Sequence, residues 1–275
     1  MKRQNASQHA RSTSRFGGRK ETSILKLAEN VIEVSKGLSV KLMKNISRIS
    51  VIVLGLIAFA WADSGEKERD RITASANVVK DIFNAPDKGI PLSVLDGTKC
   101  VIVIPDLKKA AFIVGGDYGR GVMTCRTGQN FKGPWSAPVM MASGGGDIGL
   151  QLGVEGTDLV ILVLNDEGAR SIVRSKVKLG AEASVAAGPV GRTQQAATNE
   201  QMKAQMLSYS RSRGLFAGVS VSGMTLRVDG DANDNLYGEK VKPQQILGGE
   251  VTMPEEAKPL IAALKQATTE AKEQK

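Results

Sequence analysis

The stretch that decides the fold is Ser143–Asn165, SGGGDIGLQLGVEGTDLVILVLN. It opens on three glycines, and its apolar residues then alternate with small or polar ones at Ile148, Leu150, Leu152 and Val154. After a turn at Gly156–Thr157 it ends in an unbroken apolar run, Leu159–Leu164. Alternation followed by a continuous run reads as a half-buried strand feeding a fully buried one, a hairpin at the heart of a sheet. The same residues contain a literal G-x-G-x-x-G, at Gly144, Gly146 and Gly149. A dinucleotide site needs that motif at the start of a helix, where free backbone N–H groups meet the pyrophosphate. Here the pattern after the glycines has period two, so the glycines are read as strand glycines.

Outward from this stretch, short strands and turns follow each other closely. Lys99–Ile104 is a buried run stopped by Pro105, with Asp106–Lys109 as a turn. Ala111–Val114 and Val122–Thr127 flank a glycine-rich bend, and Trp135–Ala142 is the next strand. Val177–Ala187, Leu207–Gly223 and Met224–Val228 resume the alternating pattern. Two helices bracket the strands. Arg71–Asn84 places Ile72, Ala76, Val79 and Phe83 at helical spacing, and Pro254–Lys272 does so with Ala257, Leu260, Ile261, Leu264 and Ala267. A third, short helix is expected over Asp166–Lys176. The expected fold is α+β: a mainly antiparallel β-sheet, sandwich or barrel-like, with flanking N- and C-terminal helices. One domain spans residues 71–272, preceded by a charged linker over 63–70.

The net charge of +9 first suggests nucleic acid. Residues 1–62, however, hold 11 Lys+Arg against 3 Asp+Glu, and the remaining 213 hold 26 against 25. The basic surplus precedes the domain, so nucleic acid is excluded as its partner. Ile49–Ala62, ISVIVLGLIAFAWA, has the length of a signal-peptide h-region, with Lys44 and Arg48 before it and an Ala60-Trp61-Ala62 cleavage pattern at its end. A short membrane anchor is the competing reading. Met43 would begin a signal peptide of ordinary length. Export to the periplasm or outer envelope is the expectation.

Chemistry-bearing residues are sparse. The single histidine, His9, lies ahead of the cleavage pattern, which removes His-based catalysis and metal sites from the exported chain. No enzyme activity and no cofactor are expected. Cys100 and Cys125 fall on the outer strands of a three-strand meander in this reading. They would be about 9–10 Å apart, since neighbouring strands lie ~4.8 Å apart. A disulfide needs Cα atoms within about 7 Å, so buried free thiols are expected ahead of a pair. Asp229–Asn235, DGDANDN, mimics a calcium loop but has Asp234 where the loop needs glycine and Lys240 where it needs glutamate. It is read as a turn. Lys108-Lys109 with Arg120, and Arg211 with Arg213, are basic groups in glycine-rich bends, either solvated turn charges or contacts to anionic head groups.

Four segments in order, KKAAFIVGGDYGRGV (Lys108–Val122), GGDIGLQLGVEGTDLVILVLN (Gly145–Asn165), KLGAEASVAAGPVGR (Lys178–Arg192) and SYSRSRGLFAGVSVSG (Ser208–Gly223), together resemble the SYLF-domain family. NLYGEKVKPQQILGG (Asn235–Gly249) is similar to the family's closing pattern. The resemblance runs from about Val78 to Leu264. It implies a non-catalytic lipid-binding module that attaches to a membrane surface. It draws attention to Lys109 and Phe112 before the GGDYG bend, to Gln151 and Asp158, and to Tyr209, Arg211 and Gly214–Gly218. The candidate lipid-binding residues are Lys108, Lys109, Phe112, Tyr118, Arg120, Gln151, Asp158, Tyr209, Arg211 and Arg213. The expected partner is an anionic phospholipid or another envelope lipid. Actin and phosphoinositides are not expected, because the leading helix has few basic residues. The alternative is a structural or adhesive envelope protein that binds protein partners.

Overall fold

In the computed structural model the described residues are 65–273, apart from 84, 86–88, 113, 146–155, 175, 192–200, 202 and 213–214. The helices are α1 (Glu66–Phe83), α2 (Leu92–Gly97), α3 (Asp166–Arg174), α4 (Gly230–Tyr237), α5 (Pro243–Gly248) and α6 (Lys258–Glu273), the last preceded by a 3-10 turn, Glu255–Ala257. The strands are β1 (Cys100–Phe112), β2 (Val114–Cys125), β3 (Val139–Gly144), β4 (Thr157–Val163), β5 (Val177–Lys178), β6 (Val185–Ala187), β7 (Met206–Ser212), β8 (Leu215–Gly218) and β9 (Thr225–Val228). They form one sheet in the order β5-β9-β3-β2-β1-β4-β7-β6, with β8 on β7. All pairings are antiparallel except β6 with β7. The fold is α+β, as the residue pattern implies.

The unbroken apolar runs are explained by burial on both faces. Strand side chains alternate in direction. Val101, Val103, Val122, Met140, Val160 and Leu162 face one core with Ile72 and Val79 of α1 and Leu260 and Leu264 of α6. Ile102, Ile104, Met123, Met141 and Ile161 face a second core with Ile172 of α3, Met224 and Ile246 of α5. Each fully buried aliphatic side chain contributes about 1.5–3 kcal/mol relative to exposure. The sheet's centre is therefore covered by helices on one side and by α3, α5 and connecting segments on the other.

Helix α1 begins at Glu66, inside the stretch read as a linker. Its apolar stripe, Ile72, Ala76, Val79 and Ile82, is at most 1% exposed, and Glu66 and Glu68 sit favourably in its first turn.

Further expectations are corrected. Pro105 does not end the first strand. Between Val103↔Val122 and Lys108↔Tyr118 the register shifts, so that residues 104–107 of β1 face residues 119–121 of β2. This one-residue bulge absorbs Pro105, and Asp106 takes a positive φ of 52°. Gly119 and Gly121 leave room for it, because a Cβ on either would run into Ile104 or the Val103 carbonyl. The presumed meander is therefore a single long hairpin. Its strands are neighbours, Cys100 lies directly opposite Cys125, and the two form a disulfide with Cα atoms 4.0 Å apart. The free-thiol expectation fails because the separation of two strand spacings never arises.

In Ser143–Asn165 the apolar run Leu159–Val163 is the buried strand expected of it, with β1 on one side and β7 on the other. Residues 146–155, including most of the G-x-G-x-x-G, lie outside the described residues. Asp229–Asn235 is not a turn but the N-cap and first turns of α4. Asn233 is buried there, accepting from the Met140 N–H at 2.9 Å and donating to the Asp229 carbonyl at 2.8 Å. Val177–Ala187 forms only the two short strands β5 and β6, at different places in the sheet.

Candidate functional site

The bulge and the long hairpin place several candidate residues at one end of the sheet. Pairing of β1 with β4 ends at Leu107↔Thr157, and pairing of β2 with β3 ends at Tyr118↔Gly144. Beyond these positions β1 and β2 continue to pair with each other, through Lys108↔Tyr118, Lys109↔Asp117 and on to Phe112↔Val114. Among the described residues no other strand flanks this part. It overhangs the neighbouring strands by about 5 residues per arm, some ~17 Å at ~3.4 Å per residue. Its sequence, KKAAFIV, puts two lysines at the base and an apolar run toward the turn.

Lys108 and Tyr118 stand opposite one another at the base of the overhang. The Tyr118 side chain is 52% exposed, unusually open for an aromatic residue. Arg120 donates from Nε to the Tyr118 hydroxyl at 2.7 Å and lies 3.6 Å from the Asp229 carboxylate. That hydrogen bond, then the Asp229 charge, holds the Arg120 pKa above its usual value. Below it, Arg71 of α1 is partly buried, and loss of solvation lowers its pKa against the opposing pull of Glu68. Asp229 and Glu68 are themselves only 5% and 6% exposed. A four-charge cluster of two guanidiniums and two carboxylates thus joins α1, β2 and the N-terminus of α4.

A second cluster ties β4, β7 and α1 together. Asp158 and Arg211 face one another across the β4–β7 pair. Arg211 Nε donates to Asp158 Oδ2 at 2.8 Å, and Nη1 bonds the Asp81 carboxylate on α1. The guanidinium also lies 5.9 Å from the Phe216 ring centre. Burial works against the Arg211 charge, but Asp81 and Asp158 outweigh it and raise its pKa. The other Asp158 oxygen accepts from the Asp106 N–H at 3.0 Å, and Lys108 Nζ bonds Asp106 at 2.7 Å. Lys108, Asp158 and Arg211 are therefore linked through the bulge residue Asp106.

The candidates separate into groups. Lys108, Tyr118 and Arg120 line the exposed base of the hairpin, and the backbone places Lys109 and Phe112 farther along it. Asp158 and Arg211 are bound into the fold. Tyr209 belongs to the core: it is 1% exposed, its ring packs where a Gly188 side chain would be, and burial raises its hydroxyl pKa. Gln151 and Arg213 lie outside the described residues. Residue spacing had not pointed to Glu68, Arg71, Asp81 or Asp106. Each acts through contacts far away in sequence; the Pro105-Asp106 pair was the only local signal, and it reads equally well as a turn. Among the described residues no group of three His, Cys, Asp or Glu side chains gathers as a metal site, and no helix is long and apolar enough to cross a membrane.

Comparison with known proteins adds a family. Residues 144–267 match the family model described as Ysc84, Las17-binding protein actin regulator. The chain is 36% identical over 204 residues to Protein YSC84 of Saccharomyces cerevisiae, covering 73% of this chain and 42% of that protein. It is 38% identical over 178 residues to an SH3 domain-containing protein of Schizosaccharomyces pombe, covering 64% and 40%. It is 33% identical over 186 residues to the SH3 domain-containing YSC84-like protein 1 of Bos taurus, covering 67% and 53%. The chain thus spans about two fifths to one half of the length of these relatives.

Proposed function

The chain carries a domain of the Ysc84/SYLF family, and from that premise we propose that it is a non-enzymatic module that attaches to anionic lipid surfaces. The observation that carries this reading is the overhanging half of the β1–β2 hairpin. Lysines at its base suit anionic head groups, contributing about 1 kcal/mol each near such a surface. The apolar sequence toward its turn and the exposed Tyr118 ring suit the boundary between head groups and acyl chains, where aromatic residues favour the interface. Lys108, Lys109, Phe112, Tyr118 and Arg120 form the contact set. Arg211 and Asp158 are positioning residues that hold the hairpin's base and α1 against the sheet.

The site of action in this reading is the cell envelope, after export. The signal-like segment before Asp63 supports it. So does the Cys100–Cys125 disulfide, a bond that persists in oxidising compartments. The family's description refers to Las17 binding and actin regulation. An exported module would instead meet phospholipid head groups, and the hairpin offers the chemistry for those.

Co-sedimentation of the full chain with vesicles tests the reading. Binding to phosphatidylglycerol-containing vesicles that weakens as salt rises, with much less binding to phosphatidylcholine vesicles, is the expected result. No binding to either at low salt overturns it.

A further inference from the structure

The end of the sheet that carries the hairpin base also gathers exposed apolar side chains. Among the described residues three large hydrophobic residues are exposed: Leu215 at 64%, Tyr118 at 52% and Val190 at 41%. The strand register puts the first two near one level. Leu107 stands opposite Thr157, Asp158 opposite Arg211, and Ser212, the residue after Arg211, opposite Leu215. Tyr118 stands opposite Lys108, one residue along from Leu107. Phe216 turns into the core that α1 shares, and alternation sends Leu215 to the other face. Val190 follows β6, which runs parallel to β7 toward Arg211. The Gly191 N–H next to it bonds the Gly89 carbonyl at 3.1 Å. That carbonyl lies just past the C-terminal end of α1, where Asp81 holds Arg211.

We propose that Leu215 and Val190 enter the head-group boundary together with Tyr118, so that this whole end of the sheet, and not the β1–β2 hairpin alone, meets an anionic bilayer. The inference rests on the membrane reading above and adds two contacts to it. Single apolar residues scattered over a surface are ordinary; here three gather at the end that already carries Lys108 and Arg120. Leu215 and Tyr118 are four strand spacings apart in the sheet order, about 19 Å at ~4.8 Å each. A protein partner would need a continuous patch of about 800 Å², and three side chains spread this far do not supply one. A bilayer conforms to separated points, and leucine and valine gain there by leaving water. Asp81, Asp106 and Asp158 also lie at this end. Each is bonded to Arg211 or Lys108, so none of the three opposes the head groups as a free carboxylate.

The two native cysteines are joined in a buried disulfide, so a cysteine introduced at the surface is the one reactive thiol. The full chain carrying Leu215→Cys, Val190→Cys or, as a control, Glu167→Cys is labelled with nitrobenzoxadiazole and mixed with phosphatidylglycerol-containing vesicles. Glu167 is exposed on α3 and follows β4 at the disulfide end of the sheet, where Val163 stands opposite Cys100. Labels at positions 215 and 190 should brighten and shift to the blue when vesicles are added, and the label at 167 should not. Separately, Leu215→Ser should weaken vesicle binding about fivefold, with the unfolding midpoint unchanged because the side chain is exposed. Co-sedimentation while either label stays in water overturns the inference and leaves the hairpin reading standing. An equal shift at 167 overturns it by showing general adsorption. A shift that grows with protein concentration before vesicles are added assigns these residues to contacts between copies of the chain, and overturns it too. If the parent chain does not sediment with vesicles, the membrane reading falls and this inference with it.

Discussion

The two halves of the β1–β2 hairpin differ in what holds them. The half from Cys100 to Ile104, with Val122–Cys125 opposite, is flanked by β4 and β3, lies between two cores and is closed by a disulfide. The half from Lys108 to Asp117 has no further strand paired with it among the described residues, and only the Asp117 carbonyl still accepts a backbone bond from outside, from the Gly145 N–H at 3.0 Å. One strand pair thus passes from a double core to the exposed Lys108 and Tyr118 across a single bulge. The difference teaches that stability and surface recognition are divided along one element: substitutions up to Leu107, whose side chain is still in the second core, should act on folding, and substitutions at the exposed Lys108 and Tyr118 on binding.

The sharpest break in that division would come from the buried half. Ile161→Ala, at a side chain fully buried in the second core, should destabilise by about 2–5 kcal/mol, measured by urea unfolding. Next is the Cys100→Ala/Cys125→Ala double variant. Closing a loop of sequence separation 25 contributes about 3 kcal/mol in the chain-entropy account, and the loss should appear as a lower unfolding midpoint with vesicle binding intact. Arg211→Leu should cost about 1–3 kcal/mol, because it strands the Asp158 and Asp81 carboxylates that Arg211 now satisfies. Its side chain is 27% exposed, so solvent screening keeps the effect toward the lower end. The smallest stability change belongs to the overhang. Lys108→Ala, at a side chain 55% exposed, should stay within about 0.5 kcal/mol while weakening vesicle binding.

Much of this division could be read in the residues, and the part that could not has identifiable causes. The apolar runs at Val101–Ile104 and Leu159–Val163 announce buried strands, and the spacing of Ile72, Ala76 and Val79 announces a core-facing helix. The period-two signal stops at Pro105, however, because a proline and an aspartate in sequence have the chemistry of a turn. Only long-range partners, the Asp158 carboxylate on the Asp106 N–H and the missing side chains of Gly119 and Gly121, make a bulge there instead. Losing that bulge split one hairpin into three strands and separated the cysteines. Lys108, Tyr118 and Arg120 were legible as candidates because the motif that carries the resemblance is local. The carboxylates that neutralise or position them, Asp229, Asp81 and Asp106, come from other elements. Tyr209 illustrates the opposite limit: it stands in a recognisable motif beside Arg211, yet strand alternation and the bare Gly188 backbone send its ring into the core.

The central claim is that the overhanging hairpin is the membrane face. Its most direct test is co-sedimentation of the Lys108→Glu/Lys109→Glu variant with phosphatidylglycerol-containing vesicles at low salt, alongside its thermal unfolding midpoint. The account predicts that vesicle binding falls at least tenfold, since two favourable contacts of about 1 kcal/mol each become repulsive, with the midpoint nearly unchanged. Undiminished vesicle binding by a folded variant would contradict it.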